Sequence, residues 1–173
     1  MTPCSYCGVL RRRALNTMAR EADVDKLVTA HSLDDETQTI LLNVIHGDPL
    51  RIVRSKPVLD MIHPKLVQRV KPLCQVPEKE VAFYAFLKGI EFQCIPCPYA
   101  QTALRNEIRS MLNGIEHKHA GTLFAIFNSM ERIRLALEDF AEKAKLHDCK
   151  TCGEPTIGDL CKPCQLLQEL DVL

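Results

Sequence analysis

The residues best suited to chemistry in this sequence are its cysteines. The chain has nine of them among 173 residues, and eight form four C-x-x-C pairs. The pairs are Cys4/Cys7, Cys94/Cys97, Cys149/Cys152 and Cys161/Cys164, and only Cys74 stands alone. The odd count, and a start without the charged stretch and apolar core of a signal peptide, argue against a secreted disulfide framework. In a reducing compartment such pairs predict metal binding or redox chemistry.

The last two pairs predict a structural zinc ribbon. Eight residues separate Cys152 from Cys161, which is enough to bring the second cysteine turn opposite the first. Four thiolates aimed at one point form the closed tetrahedral site of structural zinc, and Gly153 and Gly158 permit the turns. A module this small cannot fold on apolar burial alone, so the metal must supply folding energy. Disulfides and an iron centre are the alternatives.

The first two pairs predict a second metal site whose type the spacing leaves open. Cys4 and Cys7 lie at the start of a predicted helix, where the macrodipole favours thiolate. Cys94 and Cys97 lie in a loop far along the chain, with a proline on each side of Cys97. A four-cysteine zinc site and a three-cysteine iron–sulfur site with one open iron both fit these residues.

An acidic stretch follows a predicted strand, in residues 29–36 (Thr-Ala-His-Ser-Leu-Asp-Asp-Glu). Ligands of open α/β sheets bind at the carboxyl ends of strands, so Asp34 and Asp35 could hold magnesium or orient a phosphate-bearing substrate. The same residues fit a helix start. Ser32 is a natural N-cap, Asp35 three residues later completes a capping box, and acids suit the first helical turn. Composition alone leaves both interpretations open.

The periodicity of apolar residues predicts the elements that position these side chains. A helix–strand–helix order at the start indicates an α/β fold with a parallel sheet. An irregular, basic stretch from 48 to 71 follows; one further helix precedes the loop of Cys94 and Cys97, and two follow it. The predicted helices span residues 4–22, 34–46, 77–88, 100–112 and 122–146, and the predicted strand spans residues 26–30.

Clusters of basic residues suggest phosphate contacts, although the net charge is zero. The stretch between residues 51 and 71 contains six basic residues and a single acidic residue, Asp60. They are Arg51, Arg54, Lys56, Lys65, Arg69 and Lys71, and a second cluster is Arg11, Arg12 and Arg13. Such clusters suit nucleic-acid phosphates and equally suit a solvated loop. No apolar run approaches the roughly 20 residues of a membrane helix, so we expect no membrane partner.

Six motifs occur in an order that resembles one enzyme family. They are PCSYCGVLRR at 3–12, TAHSLDDE at 29–36, GD at 47–48, KPL at 71–73, EKEV at 78–81 and CPYA at 97–100. This series closely resembles the tRNA 2-thiolation enzymes, or thiouridine synthetases, of the N-type ATP pyrophosphatase (PP-loop) superfamily. The resemblance covers nearly the whole chain, including the terminal ribbon. Each motif alone is weak, whereas six in sequence are specific.

The resemblance implies a reaction and the residues that perform it. ATP adenylates the C2 oxygen of a tRNA uridine, sulfur attacks C2, and AMP leaves. Cys4, Cys7 and Cys97 fall on the three ligands of a 4Fe–4S cluster whose unligated iron carries the donated sulfur. Asp35 falls on a catalytic residue, and Arg11 falls where many relatives carry a catalytic lysine. Because arginine keeps its proton, Arg11 supplies charge there and does not transfer a proton.

The sequence departs from the family pattern in two respects. We expect the N-terminal half of the family's fold to be absent, with its zinc finger, first strands and Ser-Gly-Gly-x-Asp-Ser phosphate loop. The seven glycines include no adjacent pair, so we expect no glycine-rich phosphate cradle. ATP and Mg²⁺ are therefore expected only if the missing phosphate loop is supplied. The second departure is Cys94, which has no fixed role in the family pattern.

The resulting expectation is a helix-rich α/β protein. Residues 1–146 form a partial Rossmann-like adenine nucleotide alpha-hydrolase fold with a helical extension, and residues 147–173 form the zinc ribbon. The expected function is the catalytic portion of a cytoplasmic tRNA sulfurtransferase that uses zinc and a 4Fe–4S cluster. The expected partners are tRNA, a sulfur-carrier protein or sulfide donor, and a companion chain or second copy. The alternative is a non-catalytic zinc or iron–sulfur module that binds RNA or protein.

Overall fold

The secondary structure comes from a computed structural model, which describes residues 3–93, 95, 97–99, 103–137 and 146–172. Helices dominate the described residues, and the strands are short. The helices are α1 (Pro3–Glu21), α2 (Leu33–Ile45), α3 (Pro49–Arg54), α4 (Glu78–Leu87), α5 (Leu104–Lys118), α6 (Thr122–Leu137) and α7 (Lys162–Glu169). The strands are β1 (Lys26–Val28), β2 (Gln68–Val70), β3 (His147–Asp148) and β4 (Pro155–Thr156). None of the described helices has the length and apolar character needed to cross a bilayer.

Most helix boundaries follow local signals in the sequence. Ser32 caps α2 and forms the predicted capping box with Asp35. At the other end His46 is the C-cap, and Gly47 follows it with a φ of +62° that suits glycine. Helix α4 follows Pro77, as predicted. Helix α5 begins at Leu104 and runs six residues beyond its predicted end. The predicted continuation of α6 into residues 138–145 lies outside the described residues.

The stretch from 48 to 71 is more regular than its composition predicts, because it contains α3 and β2. Asp48 accepts a hydrogen bond from the Arg51 backbone N–H at 3.0 Å, and Pro49 occupies the first turn of α3. An Asp-Pro start is a recognised helix signal, but a six-residue helix carries too little periodicity to stand out. Strand β2 pairs with β1, and that pairing partner is 40 residues away along the chain, so local pattern does not reveal it.

The chain divides into two compact units that do not follow its linear order. The first unit comprises Met1–Leu27, Val58–Val70 and Glu142–Leu173, and the second comprises Val28–Pro57 and Lys71–Ala141. The terminal ribbon therefore shares its unit with α1 and with the loop that leads into β2. A ribbon domain of its own at 147–173 stays a prediction.

The second unit has a helical core. Helices α2, α5 and α6 pack together and bury apolar side chains at three- and four-residue spacings, as on one face of a helix. The buried side chains are Leu33, Ile40, Cys74, Ile108, Leu112, Leu123 and Phe127, with Leu41, Leu42, Ile126 and Met130 packed against them. Each such leucine or phenylalanine stabilises the fold by about 1.5–3 kcal/mol when fully buried. This core fixes the start of α2, where the acidic motif lies.

Candidate metal centre and active-site residues

The four terminal cysteines converge on one point. Their Sγ atoms all lie within 4.8 Å of one another, and Cys152 Sγ is 3.5 Å from Cys161 Sγ. Cys149, Cys161 and Cys164 are buried, with Cys164 1% exposed. The four residues that the spacing predicts as one site are therefore brought together, in a set of soft ligands that could hold a single metal ion.

Two tight turns build this cluster. In the first, the Gly153 N–H donates to the Cys149 carbonyl at 2.9 Å, and Gly153 adopts a φ of +70°, a conformation that favours glycine. The short strands β3 and β4 pair antiparallel around this turn. In the second, Cys161 is the N-cap of α7 and Cys164 lies in its first turn. The N-terminal end of a helix favours the anionic form of a thiol placed there.

The thiols of the cluster do not titrate alike. The Cys161 backbone N–H lies 3.2 Å from Cys149 Sγ and, as the largest cause, lowers the pKa of Cys149 to about 6. Burial raises the pKa of Cys164 to about 12, and burial also raises the pKa of Cys161. Packing thus favours one thiolate and opposes further ones. A divalent cation supplies the charge that allows a complete set of thiolates.

The other predicted ligands are solvent-accessible. Cys4 and Cys7 are exposed in the first turns of α1, and Cys97 is exposed in its loop. Arg11, one turn after Cys7, is also exposed, and residues spaced three and four apart share a helix face. Cys97 belongs to the second compact unit, so a site shared by the three thiols stays a prediction. Cys94 lies outside the described residues.

The acidic motif starts α2 as a network of caps. Asp35 Oδ2 accepts from the Ser32 backbone N–H at 3.0 Å and from the Ser32 hydroxyl at 3.2 Å. Asp34 Oδ2 accepts from the Glu78 backbone N–H at 2.7 Å, so Asp34 joins the start of α2 to the start of α4. The capping interpretation of this motif is thus confirmed. A capped Asp35 still has a second carboxylate oxygen, and its side chain is 42% exposed.

Arg105 is a neighbour of Asp35 that the sequence analysis missed. Its guanidinium lies 3.9 Å from Asp35 Oδ1 and donates to the Thr39 hydroxyl at 2.9 Å and to the Gln38 side chain at 3.3 Å. The residue follows the CPYA motif by a few positions, but neither its charge nor its spacing connects it with α2. Only the packing of α5 on α2 does so.

Three basic residues of the predicted stretch at 51–71 have partners within the protein. Lys71 is buried in an ion pair with Glu36. Lys65 donates to the Gly153 carbonyl at 2.8 Å and pairs with Asp148. Arg51 pairs with Asp48. Burial removes Lys71 from contact with nucleic-acid phosphates, and phosphate contacts by the rest of the stretch stay a prediction.

Known proteins match this chain along its length. A family model described as a PP-loop domain matches residues 8–115. The chain is 37% identical to the tRNA 2-thiolation protein NcsA of Haloferax volcanii, covering 100% of this chain and 57% of that protein. It is 34% identical to the tRNA-5-methyluridine(54) 2-sulfurtransferase of Pyrococcus horikoshii, covering 94% and 52%. It is 33% identical to the cytoplasmic tRNA 2-thiolation protein 1 of Schizosaccharomyces pombe, covering 97% and 48%.

A solved structure is similar to the fold as well. The structure of the U34-tRNA thiolase NcsA from Methanococcus maripaludis, with its [4Fe-4S] cluster, superposes with a TM-score of 0.81 at 34% identity. The similarity covers 100% of this chain and 55% of that one. It confirms the helix-rich α/β fold class. The chain spans about half the length of the curated relatives it matches.

The family match corrects one expectation about the PP-loop. We expected a chain that lacks it, whereas the PP-loop domain model matches residues 8–115, so this part of the chain is PP-loop domain. The expectation was drawn from one glycine motif, and the seven glycines indeed include no adjacent pair. A family model scores the core and the motifs of a domain together, so one glycine pair does not decide the match.

Proposed function

Because the chain belongs to the PP-loop domain family, we propose that it is the cysteine-bearing part of a tRNA 2-thiolation sulfurtransferase. The observation that carries this proposal is the difference in solvent exposure between two groups of cysteines. Three cysteines of the terminal quartet are buried and the fourth, Cys152, is half-buried, whereas Cys4, Cys7 and Cys97 are exposed. A buried quartet can serve stability, but only accessible thiols can serve a reaction on a macromolecular substrate. The printed names of the relatives supply the reaction class.

The buried quartet is proposed to hold structural zinc. Four cysteine sulfurs within 4.8 Å of one another offer the closed tetrahedral donor set that zinc takes in structural sites. The lowered pKa of Cys149 favours its thiolate form before a metal binds. The surrounding ribbon has two-residue strands and one eight-residue helix, so metal binding contributes a large part of its folding energy.

Cys4, Cys7 and Cys97 are proposed to hold a 4Fe–4S cluster. The residues fit such a group, since Cys4 and Cys7 lie three residues apart at the start of α1 and both are exposed. When bound, a cluster with three protein ligands supplies an iron that can bind the sulfur to be transferred. A four-cysteine zinc site that includes Cys94 is the alternative for these residues.

Asp35 and Arg11 are proposed to act on the substrates. Asp35 binds Ser32 through Oδ2, which leaves Oδ1 to contact magnesium or the activated nucleotide, and the Arg105 guanidinium lies 3.9 Å from Oδ1. Arg11 shares the exposed face of α1 with Cys4 and Cys7. There its guanidinium holds phosphate or another anion near the thiols, without transferring a proton.

The partners follow from the same proposal. The chain acts on tRNA, receives sulfur from a carrier protein or sulfide, and works with ATP and Mg²⁺ bound by the complete PP-loop domain. The location is the cytoplasm, because the fission yeast relative is named a cytoplasmic tRNA 2-thiolation protein. A second copy or a companion chain is the proposed source of any part of the active site that this chain does not contribute.

A chimera tests the function. The matching part of the Haloferax volcanii relative is replaced by this chain, and the chimera is expressed in cells that lack the relative. Mass spectrometry of tRNA nucleosides is expected to show restored 2-thiouridine. The restoration is lost in Cys4→Ala, Cys7→Ala, Cys97→Ala and Asp35→Asn, and it is kept in the matched control Cys94→Ala. A zinc-loaded, folded chimera that leaves tRNA unthiolated would support the non-catalytic binding module instead.

A further inference from the structure

We infer that the cysteine ribbon braces α1, so that metal bound at Cys149, Cys152, Cys161 and Cys164 holds in place the helix that presents Cys4, Cys7 and Arg11. The inference rests on the proposed function for the role of that helix and for the metal in the ribbon. Its physical content, a metal-dependent order of α1, stands on contacts within the first compact unit. The ribbon then acts as a positioning element and not as a separate appendage.

The first contacts join α1 to α7 and to the cysteine cluster itself. The Tyr6 hydroxyl donates to Glu169 Oε2 at 3.2 Å, near the end of α7. Arg13 Nη1 lies 4.0 Å from Cys164 Sγ, so a guanidinium of α1 faces one of the metal-binding sulfurs. A cation beside a thiolate is attractive. The middle of α1 therefore contacts the cysteine quartet directly through Arg13.

A second set of contacts passes through Lys65. Its ammonium donates to the Gly153 carbonyl at 2.8 Å and pairs with Asp148 at 2.8 Å, and both partners lie in the first cysteine turn or next to it. The Asn16 side chain donates to the Lys65 carbonyl and accepts from the Val67 N–H, each at 2.9 Å. The ribbon, the 58–70 loop and α1 are thereby connected in series.

A direct ion pair completes the brace near the end of the helix. Arg20 Nη2 lies 2.7 Å from Glu154 Oε1, one residue after Gly153. The Glu154 side chain is 16% exposed, so the pair is partly shielded from water and contributes more than a fully exposed one. The contacts thus reach α1 from its first turns to its last.

The braced face and the thiol face of α1 are on opposite sides. A helix advances about 100° per residue, so Tyr6, Arg13 and Arg20, seven residues apart, share one side with Asn16. By the same geometry Cys4, Cys7 and Arg11 form a second row that points roughly the opposite way. The ribbon can therefore hold α1 in place without covering Cys4 and Cys7, which stay accessible as ligands.

Helix α1 buries little of its own surface. Ala19 is its one buried residue, and its first turn contains no acidic residue to complement the dipole. The three adjacent arginines at 11–13 add repulsion. In proteins most of the stability of a helix comes from tertiary packing and not from helix propensity. Because a ribbon of this size depends on metal for its own folding, loss of the metal removes the contacts from the ribbon that hold α1.

Hydrogen exchange measured by mass spectrometry tests the brace. The full chain is prepared with zinc and with Cys4 and Cys7 replaced by serine, so that no cluster can form there, and is compared before and after a chelator removes the zinc under reducing conditions. Metal removal is expected to speed amide exchange in α1 by about tenfold or more, as for a local opening, while α5 and α6 stay protected. Unchanged exchange in α1 after complete metal loss overturns the inference.

A variant separates the brace from the metal site. Asn16→Ala combined with Arg20→Ala is expected to keep one zinc per chain and still to speed exchange in α1, whereas Met18→Ala, an exposed residue on the thiol side, leaves it unchanged. A double variant with full zinc and unaltered α1 exchange contradicts the inference. Neither result depends on iron–sulfur cluster binding or tRNA thiolation. The proposed function can therefore be wrong while the inference about α1 is right, and the inference can be wrong while the proposed function is right.

Discussion

Lys71 Nζ lies 2.7 Å from Glu36 Oε2 and 2.8 Å from Oε1, and both side chains are buried. The pair joins α2 to the turn that leads into α4. Cys74, three residues after Lys71, is buried beside it, and burial, followed by the charge of Glu36, raises the pKa of Cys74. The cysteine that stands outside the C-x-x-C pairs is therefore a neutral thiol packed in the core.

Breaking this ion pair should destabilise the second unit strongly. Lys71→Met leaves the Glu36 carboxylate buried without its cation, and removal of one partner of such a pair typically costs about 3–5 kcal/mol. The double variant Lys71→Met with Glu36→Leu should cost less than either single substitution, because no charge is left buried. Urea unfolding of the four proteins measures this, with Lys118→Met as the exposed control. Additive costs in the double variant would contradict the pairing.

The terminal quartet should account for one bound zinc. Replacing Cys149, Cys152, Cys161 and Cys164 by serine removes the soft ligands that zinc requires, and plasma mass spectrometry should then find one zinc fewer per chain. The matched control is Cys74→Ser, a buried cysteine of the other compact unit, which should keep the metal. Equal zinc in the wild type and the quadruple variant would exclude the ribbon as a metal site.

Three cysteines should be needed for the iron–sulfur cluster and a fourth should not. After anaerobic reconstitution with iron and sulfide, Cys4→Ala, Cys7→Ala and Cys97→Ala should lose the cluster's broad visible absorbance and its iron. Cys94→Ala should retain both, because a fourth thiolate would close the iron that sulfur must reach. Loss in all four variants would indicate a closed site, and the proposed sulfur transfer would have to be abandoned.

Glu116 should stabilise the second unit in a pH-dependent manner. Its carboxylate accepts the Gly121 and Leu123 backbone N–H groups, each at 2.9 Å, at the start of α6. These bonds, that of Gly121 first, lower the pKa of Glu116 below its ordinary 4.5. Loss of a helix cap costs about 1 kcal/mol, so Glu116→Ala should lower the free energy of unfolding by about that much at neutral pH.

The pH dependence has a definite sign. With its folded pKa below the unfolded value, Glu116 contributes fully above about pH 4.5, and its contribution is lost as the pH falls through the folded pKa. The stability difference between the wild type and Glu116→Ala should therefore shrink in acid. Urea unfolding over a pH series measures it, and Glu91→Ala in an exposed loop is the control. A difference that stays constant down to about pH 3 would show that the carboxylate charge is not involved.

Some features of this protein follow from sequence alone, because their physics is local. Two C-x-x-C turns separated by eight residues bring four sulfurs together with little help from the rest of the chain. The Ser32–Asp35 capping box forms because helix geometry fixes positions three residues apart. The bounds of α1 fall within a residue of those that apolar periodicity predicts. In each case the interacting groups are near neighbours in the chain.

Tertiary structure alone decided which partners the charged side chains contact. Sequence placed Lys65 and Lys71 in one basic stretch, yet the fold assigns Lys71 to a buried partner 35 residues away and Lys65 to the ribbon 88 residues away. It likewise joined Asp34 to the start of α4, and Arg105 to Asp35. Such contacts have no period and no fixed spacing, because they depend on which surfaces the packed helices and loops bring together. A charge read from sequence is therefore a candidate, and its partner is known only once the chain is folded.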